Sequence, residues 1–159
     1  MDRSRVTKVV ERIPIFRGLS PHRLQKVLDI CSERHFRAGQ TVCRAGDESA
    51  EFYVVLSGDL SVRTEAGMEL ASIGRMGVVG EMGVLTDRPR SACIVATKET
   101  TALRIGKDDL DRLMDADREI GLHIYREFAH LMCDRLRRNN ACLEQFYFTV
   151  EDLTANPPV

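Results

Sequence analysis

The block from Phe36 to Gly106 constrains the fold most, because short segments rich in Val, Ile, Thr and Tyr alternate there with glycine turns such as "AGD", "SGD" and "EAGM". This pattern predicts short β-strands. "EFYVVLSGDLSV" predicts two strands around a tight turn, "MELASI" a third, and "SACIVATKETTALRIG" a pair joined at Lys98 to Thr100. Many short strands at this spacing favour a small antiparallel barrel or jelly roll.

Helical periodicity flanks this block on both sides. Val6, Val9, Val10 and Ile13 predict a short helix before Pro14. Ser20 as N-cap and Pro21 as first residue predict a second helix, with a buried stripe of Leu24, Val27, Leu28 and Cys31. Downstream, a short helix is predicted around Leu110, Leu113 and Met114, and a long one from about Asp117 toward Phe146.

These elements predict one α+β domain over residues 1–148. It would comprise N-terminal helices (1–35), an antiparallel β-roll (36–107) and C-terminal helices (108–148), followed by a flexible tail (149–159). The length of 159 residues and the hydrophobic content of 43% suit a single domain with its own core.

The net charge and the cysteines indicate which partners and which cellular compartment to expect. Although 30% of the residues are charged, the net charge is only -1, so the chain as a whole is not drawn to nucleic acid or anionic lipid. We expect no secretory signal, and no apolar run approaches the roughly 20 residues of a membrane span. Five cysteines without a C-x-x-C pair fit neither a disulfide framework nor a zinc knuckle, which predicts a reducing cytoplasm.

The segment "GEMGVLTDRPRSA", Gly80 to Ala92, carries the chemistry. Its glycines allow a ligand to approach the main chain, and the planar fork of Arg90 fits two phosphate oxygens. A carboxylate beside a phosphate is repulsive unless a sugar hydroxyl lies between them, so Glu81 together with Arg90 indicates a cyclic nucleotide. A salt bridge between Glu81 and Arg90 that caps a turn is the equally plain alternative.

The same segment resembles the phosphate-binding cassette of cyclic nucleotide-binding domains, the module of protein kinase A regulatory subunits, catabolite activators and nucleotide-gated channels. Upstream, the stretch beginning "IPIFRGLSPHRL" and running to "FYVVLSGDLSV" is similar to the family's first helices and strands. Downstream, "ALRIGKDDLDRLM" and the long helix are similar to its closing strand and hinge helices. The resemblance covers roughly residues 12 to 145 and implies a β-roll that binds a cyclic nucleotide.

The resemblance also implies residue roles. Glu81 would bind the ribose 2'-hydroxyl and Arg90 the cyclic phosphate, and we expect Arg90 to be solvent-accessible when the site is empty. The sugar-phosphate would be lined by Gly80, Met82, Gly83, Ser91 and Ala92. Val79 and Gly83 depart from the family, in which an aromatic residue and an alanine are frequent, and this leaves the affinity open. Ser91 does not decide the base, so cAMP is predicted and cGMP is the alternative.

The long helix offers two further predictions. The resemblance also implies that a residue of this helix covers the base, and the candidates are Tyr125, Phe128, Leu131, Arg135, Phe146, Tyr147 and Phe148. For any single apolar one of these, packing on the barrel is the better interpretation. Its apolar residues also follow coiled-coil spacing along Tyr125, Ala129, Met132, Leu136, Asn139, Leu143 and Phe146, with a second stripe along Ile120, Ile124, Phe128 and Leu131. The helix either joins a homodimer or packs wholly on its own domain.

We therefore predict a cyclic nucleotide sensor that signals through its C-terminal helices to an effector protein or a second copy. A ligand-free adaptor that retains the barrel is the alternative. We expect no enzyme, since no nucleophile and base form a motif. We expect no metal site at His130 and Cys133, which lack further ligands, and no DNA partner, since only thirteen residues follow Phe146.

Overall fold

The computed structural model describes residues 10–155. Most of the helix predicted around Val6 lies outside these residues, but Val10 and Ile13 are fully buried. After a 3-10 turn over Pro14–Phe16, helix α1 covers Pro21–Asp29. Its start is as predicted, because the Ser20 side chain accepts a hydrogen bond from the Arg23 amide at 3.4 Å.

Eight strands follow. They are β1 (Cys31–Phe36), β2 (Thr41–Cys43), β3 (Glu51–Ser57), β4 (Leu60–Arg63), β5 (Glu69–Ile73), β6 (Val78–Val79), β7 (Cys93–Ala96) and β8 (Thr100–Gly106). A short helix α2 (Glu81–Thr86) lies between β6 and β7, and the chain continues into α3 (Lys107–Ala116) and α4 (Arg118–Ala155).

The strands form two four-stranded antiparallel sheets, in the orders β1-β8-β3-β6 and β2-β7-β4-β5. This arrangement, with helices at both ends of the chain, confirms the predicted α+β jelly roll. The roll begins at Cys31 and not at Phe36, because β1 pairs along its whole length with β8. Cys31 therefore lies in a strand and does not extend the stripe of α1.

Two predicted strand pairs are corners of the roll and not hairpins. β3 and β4 belong to different sheets, as do β7 and β8. The turns that join them meet at one place, where the Asp59 amide donates to Thr100 Oγ1 at 3.0 Å and the Thr97 amide donates to the Asp59 carbonyl at 3.0 Å. Gly58 has a φ of 91°, and a Cβ there would lie 2.4 Å from the Glu99 carbonyl oxygen, so only glycine fits this corner.

The continuous apolar run of β3 is explained by burial on both faces. Phe52, Val54 and Leu56 face a core shared with the helices, whereas Tyr53 and Val55 face a second core between the two sheets. The helix-side core includes Leu24 and Val27 of α1, Leu110 and Met114 of α3, and Ile120, Ile124 and Phe128 of α4. The first half of α4 is thereby fixed to the roll.

Helix α4 continues to Ala155, beyond Phe146 and into the region predicted as a flexible tail. Residues 156–159 lie outside the described part of the chain. Among the helices of residues 10–155, none combines the length and the apolar composition that crossing a membrane requires.

Candidate ligand-binding site

The segment from Gly80 to Ala92, called the cassette below, connects β6 to β7 and includes α2. Gly80 precedes α2 with a φ of 82°, the left-handed region that favours glycine. A Cβ on Gly80 would lie 2.2 Å from Arg90 Nη1, and one on Gly83 would lie 1.9 Å from Ser49 Oγ and 2.6 Å from the Arg88 carbonyl oxygen. Both glycines are therefore required by close contacts inside the cassette.

The cassette wraps a small cavity of about 60 Å³. All seven residues predicted for the site line it: Gly80, Glu81, Met82, Gly83, Arg90, Ser91 and Ala92. The remaining lining residues are Val62, Val79 and Ile94 from the strands and Arg135 from α4. The structure thus brings the predicted residues together, while their contacts with a ligand stay a prediction.

Arg90 is buried, with 7% of its surface exposed, so the expectation of a solvent-accessible arginine was wrong. Its Nη1 donates to the Gly80 carbonyl at 2.8 Å and its Nη2 donates to the Glu51 carbonyl at 2.6 Å. The backbone of Arg90 is held as well, because its amide donates to the Asp47 carbonyl at 2.8 Å and its carbonyl accepts from the Gly46 amide at 2.9 Å. Arg90 Nε is buried and has no hydrogen-bond partner among the described residues.

Glu81, the acid among the described residues that line this cavity, is buried, with 1% exposure. Its Oε1 accepts a hydrogen bond from Arg135 Nη1, whereas its Oε2 is buried and unpaired within the described structure. Burial raises the pKa of Glu81 above its usual value, and the charge of Arg135 acts in the opposite direction. The predicted alternative, a salt bridge between Glu81 and Arg90, is not formed.

Glu51 is a supporting residue that the sequence reasoning missed. Its carboxylate accepts hydrogen bonds from Tyr53 Oη and Arg104 Nε, and its carbonyl holds Arg90. Burial acts to raise the pKa of Glu51, but the hydrogen bonds from Tyr53 and Arg104 outweigh it and hold this pKa below its usual value. An acid at the start of an otherwise apolar strand was the one available signal.

The residues predicted to cover the base fall into buried, exposed and cavity-lining groups. Phe128 is core, since it packs edge-to-face on Phe52 with ring centroids 5.5 Å apart. Tyr125, Phe146 and Tyr147 are exposed and do not line the cavity, and the side chain of Phe148 lies outside the described residues. Of the candidates whose side chains are described, Arg135 is the one that reaches the cavity, and Leu131 is partly buried against the helix-side core.

The cavity of this jelly roll is therefore lined by an arginine and an acid, each with a buried polar atom that has no partner among the described residues. Residues 33–117, more than half of the chain, match the family model for the cyclic nucleotide-binding domain, and this segment includes the cassette. The chain belongs to the cyclic nucleotide-binding domain family.

Known relatives agree with this assignment. A cAMP-dependent protein kinase regulatory subunit of Emericella nidulans is 30% identical over 106 residues, which are 66% of this chain and 26% of that protein. A cyclic nucleotide-gated potassium channel of Mesorhizobium japonicum is 30% identical over 122 residues, 77% of this chain and 33% of the channel. The chain thus spans about a quarter to a third of the length of these relatives.

The fold is also similar to that of a solved protein related to this family. The solved structure of the catabolite activator protein of Thermus thermophilus superposes with a TM-score of 0.71 at 29% sequence identity, covering 85% of this chain and 63% of that chain.

Proposed function

We propose that this protein is a cyclic nucleotide sensor that binds cAMP, or alternatively cGMP, in the cavity of the cassette. The observation that supports this most is the pair of unpaired buried atoms, the acceptor Glu81 Oε2 and the donor Arg90 Nε, at one cavity. Buried polar groups without partners are costly, so a ligand that satisfies both is favoured. A sugar hydroxyl would donate to Glu81 while the phosphate fused to that sugar accepts from Arg90.

The other cassette residues would serve the sugar-phosphate through backbone groups and small size. Gly80 and Gly83 leave the main chain accessible, Met82 and Ser91 lie at the rim, and Ala92 leaves room beside Arg90. The relatives' names point to the same ligand class, since one is a cAMP-dependent kinase regulatory subunit and one a cyclic nucleotide-gated channel. We propose a regulatory role without catalysis, in a reducing compartment such as the cytoplasm, where the five cysteines would stay free thiols.

Signal transmission would run from the cassette into the C-terminal helices. Asp87, at the end of α2, forms an ion pair with Lys107 Nζ at 3.1 Å, and the same nitrogen contacts Asp111 of α3 at 2.5 Å. Val84 of α2 packs in the core that contains Leu110 of α3. A ligand that shifts α2 would therefore bias the positions of α3 and α4, provided that it favours one arrangement over the other.

The receiver of the signal would be an effector protein or a second copy of this chain. Along the outer half of α4, residues 132–147, the side chains of Leu136, Leu143, Phe146 and Tyr147 are exposed by 55 to 66%. In the second predicted stripe, Ile120, Ile124 and Phe128 are buried on the roll, and Leu131 is partly buried against the same core. We propose that the exposed stripe pairs with the same stripe of a second copy, as its coiled-coil spacing indicates.

Calorimetry with cAMP, cGMP and 5'-AMP tests the nucleotide site. We expect one cyclic nucleotide to bind and 5'-AMP to bind much more weakly; a ligand at a hundred times its Kd would add about 2.7 kcal/mol to stability. Arg90→Ala should abolish binding, and because Arg90 also holds two carbonyls it should lower the melting temperature. Arg90→Lys keeps the charge without the planar fork, and Arg88→Ala, an exposed position of the same segment, is the matched control.

If neither cyclic nucleotide binds to the folded wild-type protein, the sensor is excluded and a ligand-free adaptor takes its place. Sedimentation of the wild type and of a Leu136→Glu, Leu143→Glu variant tests the dimer separately. Identical monomer masses for both would contradict it.

A further inference from the structure

Two main-chain carbonyls determine the orientation of Arg90, the arginine assigned to the phosphate. Its Nη1 donates to the Gly80 carbonyl at 2.8 Å and its Nη2 donates to the Glu51 carbonyl at 2.6 Å. A guanidinium group carries five N–H donors in one rigid plane, so fixing two of them fixes the directions of the other three. The direction of the Nε donor, which has no partner among the described residues, therefore depends on where these two carbonyls lie.

The carbonyl of Glu51 stands at the end of a strand. Glu51 is the first residue of β3 and follows a loop whose residues 46–48 are exposed. The ends of elements beside exposed loops open at low free-energy cost unless other contacts hold them. One such contact is the Lys107 amide, which donates to the Ala50 carbonyl at 2.8 Å. The other comes from the side chain of Glu51 itself.

This side chain is anchored at both carboxylate oxygens. Oε1 accepts a hydrogen bond from Tyr53 Oη, and Oε2 accepts one from Arg104 Nε. Tyr53 and Arg104 are direct partners across β3 and β8, and Tyr53 packs edge-to-face on Phe36 with ring centroids 5.5 Å apart. The carboxylate is thus tied to two neighbouring side chains of the sheet.

Two arginines act on this carboxylate. Burial acts to raise the pKa of Glu51, but the hydrogen bonds from Tyr53 and Arg104 and the charges of Arg104 and Arg90 lower it below its usual value. Glu51 is therefore ionised at neutral pH. Its negative charge offsets the repulsion between two cations that interact with the same acid.

We propose that Glu51 is a positioning residue of the phosphate site: its carboxylate, anchored by Tyr53 and Arg104, fixes the main-chain carbonyl that orients Arg90. This inference rests on the proposed function of the site. Glu51 is not among the described residues that line the cavity, so it acts through Arg90 and not on the ligand. Groups that touch a ligand need supporting side chains to hold them in the productive geometry, and loss of that support weakens binding although every ligand contact is still present.

Glu51→Gln tests the anchor, because its amide nitrogen cannot accept a hydrogen bond while the side chain keeps its size. We expect a Kd for the cyclic nucleotide roughly tenfold higher than that of the wild type, as for the loss of one hydrogen bond to a charged group. Arg104→Gln should raise the Kd by a similar factor, and the double variant should bind about as well as either single variant, because both remove the same anchor. Glu48→Gln, at an exposed acid of the preceding loop, is the matched control and should leave the Kd unchanged.

Two phosphorothioate analogues of the nucleotide separate positioning from stability. In each diastereomer sulfur replaces one of the two exocyclic phosphate oxygens, and sulfur accepts hydrogen bonds more weakly than oxygen. A guanidinium group with a fixed orientation distinguishes the two oxygens, so the wild type should prefer one diastereomer and Glu51→Gln should reduce this preference. A variant that is merely less stable binds both analogues more weakly by the same factor, because only the competent fraction changes.

The outcomes distinguish this role from the proposed function. If Glu51→Gln binds like the wild type, or loses affinity for both diastereomers by the same factor, the positioning role is overturned and the sensor stands. A wild type that binds both diastereomers equally also overturns the positioning role. If the wild type binds neither cAMP nor cGMP, the sensor and the positioning role fail together.

Tyr53→Phe provides the test if Glu51→Gln does not fold. This variant removes one of the two donors to the carboxylate and keeps the aromatic ring against Phe36. We expect a smaller rise in Kd than for Glu51→Gln, because the bond from Arg104 remains, together with a reduced preference between the diastereomers. An unchanged preference in Tyr53→Phe would overturn the positioning role.

Discussion

The cassette and the outer half of α4, residues 132–147, meet at one cavity but are held in opposite ways. In the cassette, Gly80 and Gly83 have no spare room, and Arg90 is fixed through both its guanidinium group and its backbone. On the outer half of α4, Leu136 and Leu143 are exposed, and Arg135 provides the link to the cassette. The difference teaches that the cassette is fixed by close contacts on several sides, whereas the outer half of α4 buries little apolar surface and should open at a lower free-energy cost.

The largest expected change in the free energy of unfolding comes from the first half of α4, which packs on the roll. Phe128 is 1% exposed and packs on Phe52, so Phe128→Ala should lower the free energy of unfolding by about 3 to 5 kcal/mol. Leu136→Ala, eight residues further along the same helix, should change it by about 0.5 kcal/mol or less, because Leu136 is 61% exposed.

Denaturant unfolding at two protein concentrations measures both variants and separates self-association from folding. Equal losses for Phe128→Ala and Leu136→Ala would mean that the two halves of α4 are not differently held.

The sequence predicted in part that one stripe of α4 is buried and the other exposed. The coiled-coil stripe through Leu136 and Leu143 and the stripe of Ile120, Ile124, Phe128 and Leu131 were both predicted from helical spacing. The helix-side core confirms the latter as buried, with Leu131 partly buried against it. The strand β1 was not found, because its sequence "CSERHF" is largely polar and lies at the edge of its sheet, where one side of the strand has no partner strand.

The site was predictable to the extent that it is local. The seven cassette residues are close in sequence and line one cavity. The burial of Arg90 was not predictable, because it depends on the carbonyl of Glu51, 39 positions away. The contact of Arg135 with Glu81 joins residues 54 positions apart and depends on how α4 crosses the roll. No local pattern reports such distances.

A smaller loss of stability is expected from adding a methyl group inside the cassette. Gly83→Ala would place a methyl group against Ser49 and the Arg88 carbonyl, and we expect this overpacking to cost about 1 to 3 kcal/mol. In the double variant Gly83→Ala, Ser49→Gly the loss should be smaller than in Gly83→Ala alone, which a double-mutant cycle measures.

Gly74→Ala provides the control, since Gly74 lies outside the cassette and a Cβ there meets no atom within 4 Å. A cost for Gly83→Ala no greater than that for Gly74→Ala would show that the cassette is not tightly packed.

The smallest effect that we expect is the contribution of Glu81 to the pH dependence of stability, since burial and the nearby arginines shift the pKa of Glu81 in opposite directions. Burial raises the pKa of Glu81 in the folded protein, so the folded state binds its proton more tightly than the unfolded chain does. The stabilisation from the protonated acid is fully present below its usual pKa of 4.5 and is lost as the pH rises through the folded-state value. Glu81→Gln should therefore gain stability relative to the wild type as the pH rises above 4.5, in urea unfolding at a series of pH values. In the Arg135→Ala background the gain in stability from Glu81→Gln should be larger, because α4 no longer supplies a countercharge to Glu81. An identical gain in both backgrounds would mean that Arg135 does not link α4 electrostatically to the cassette.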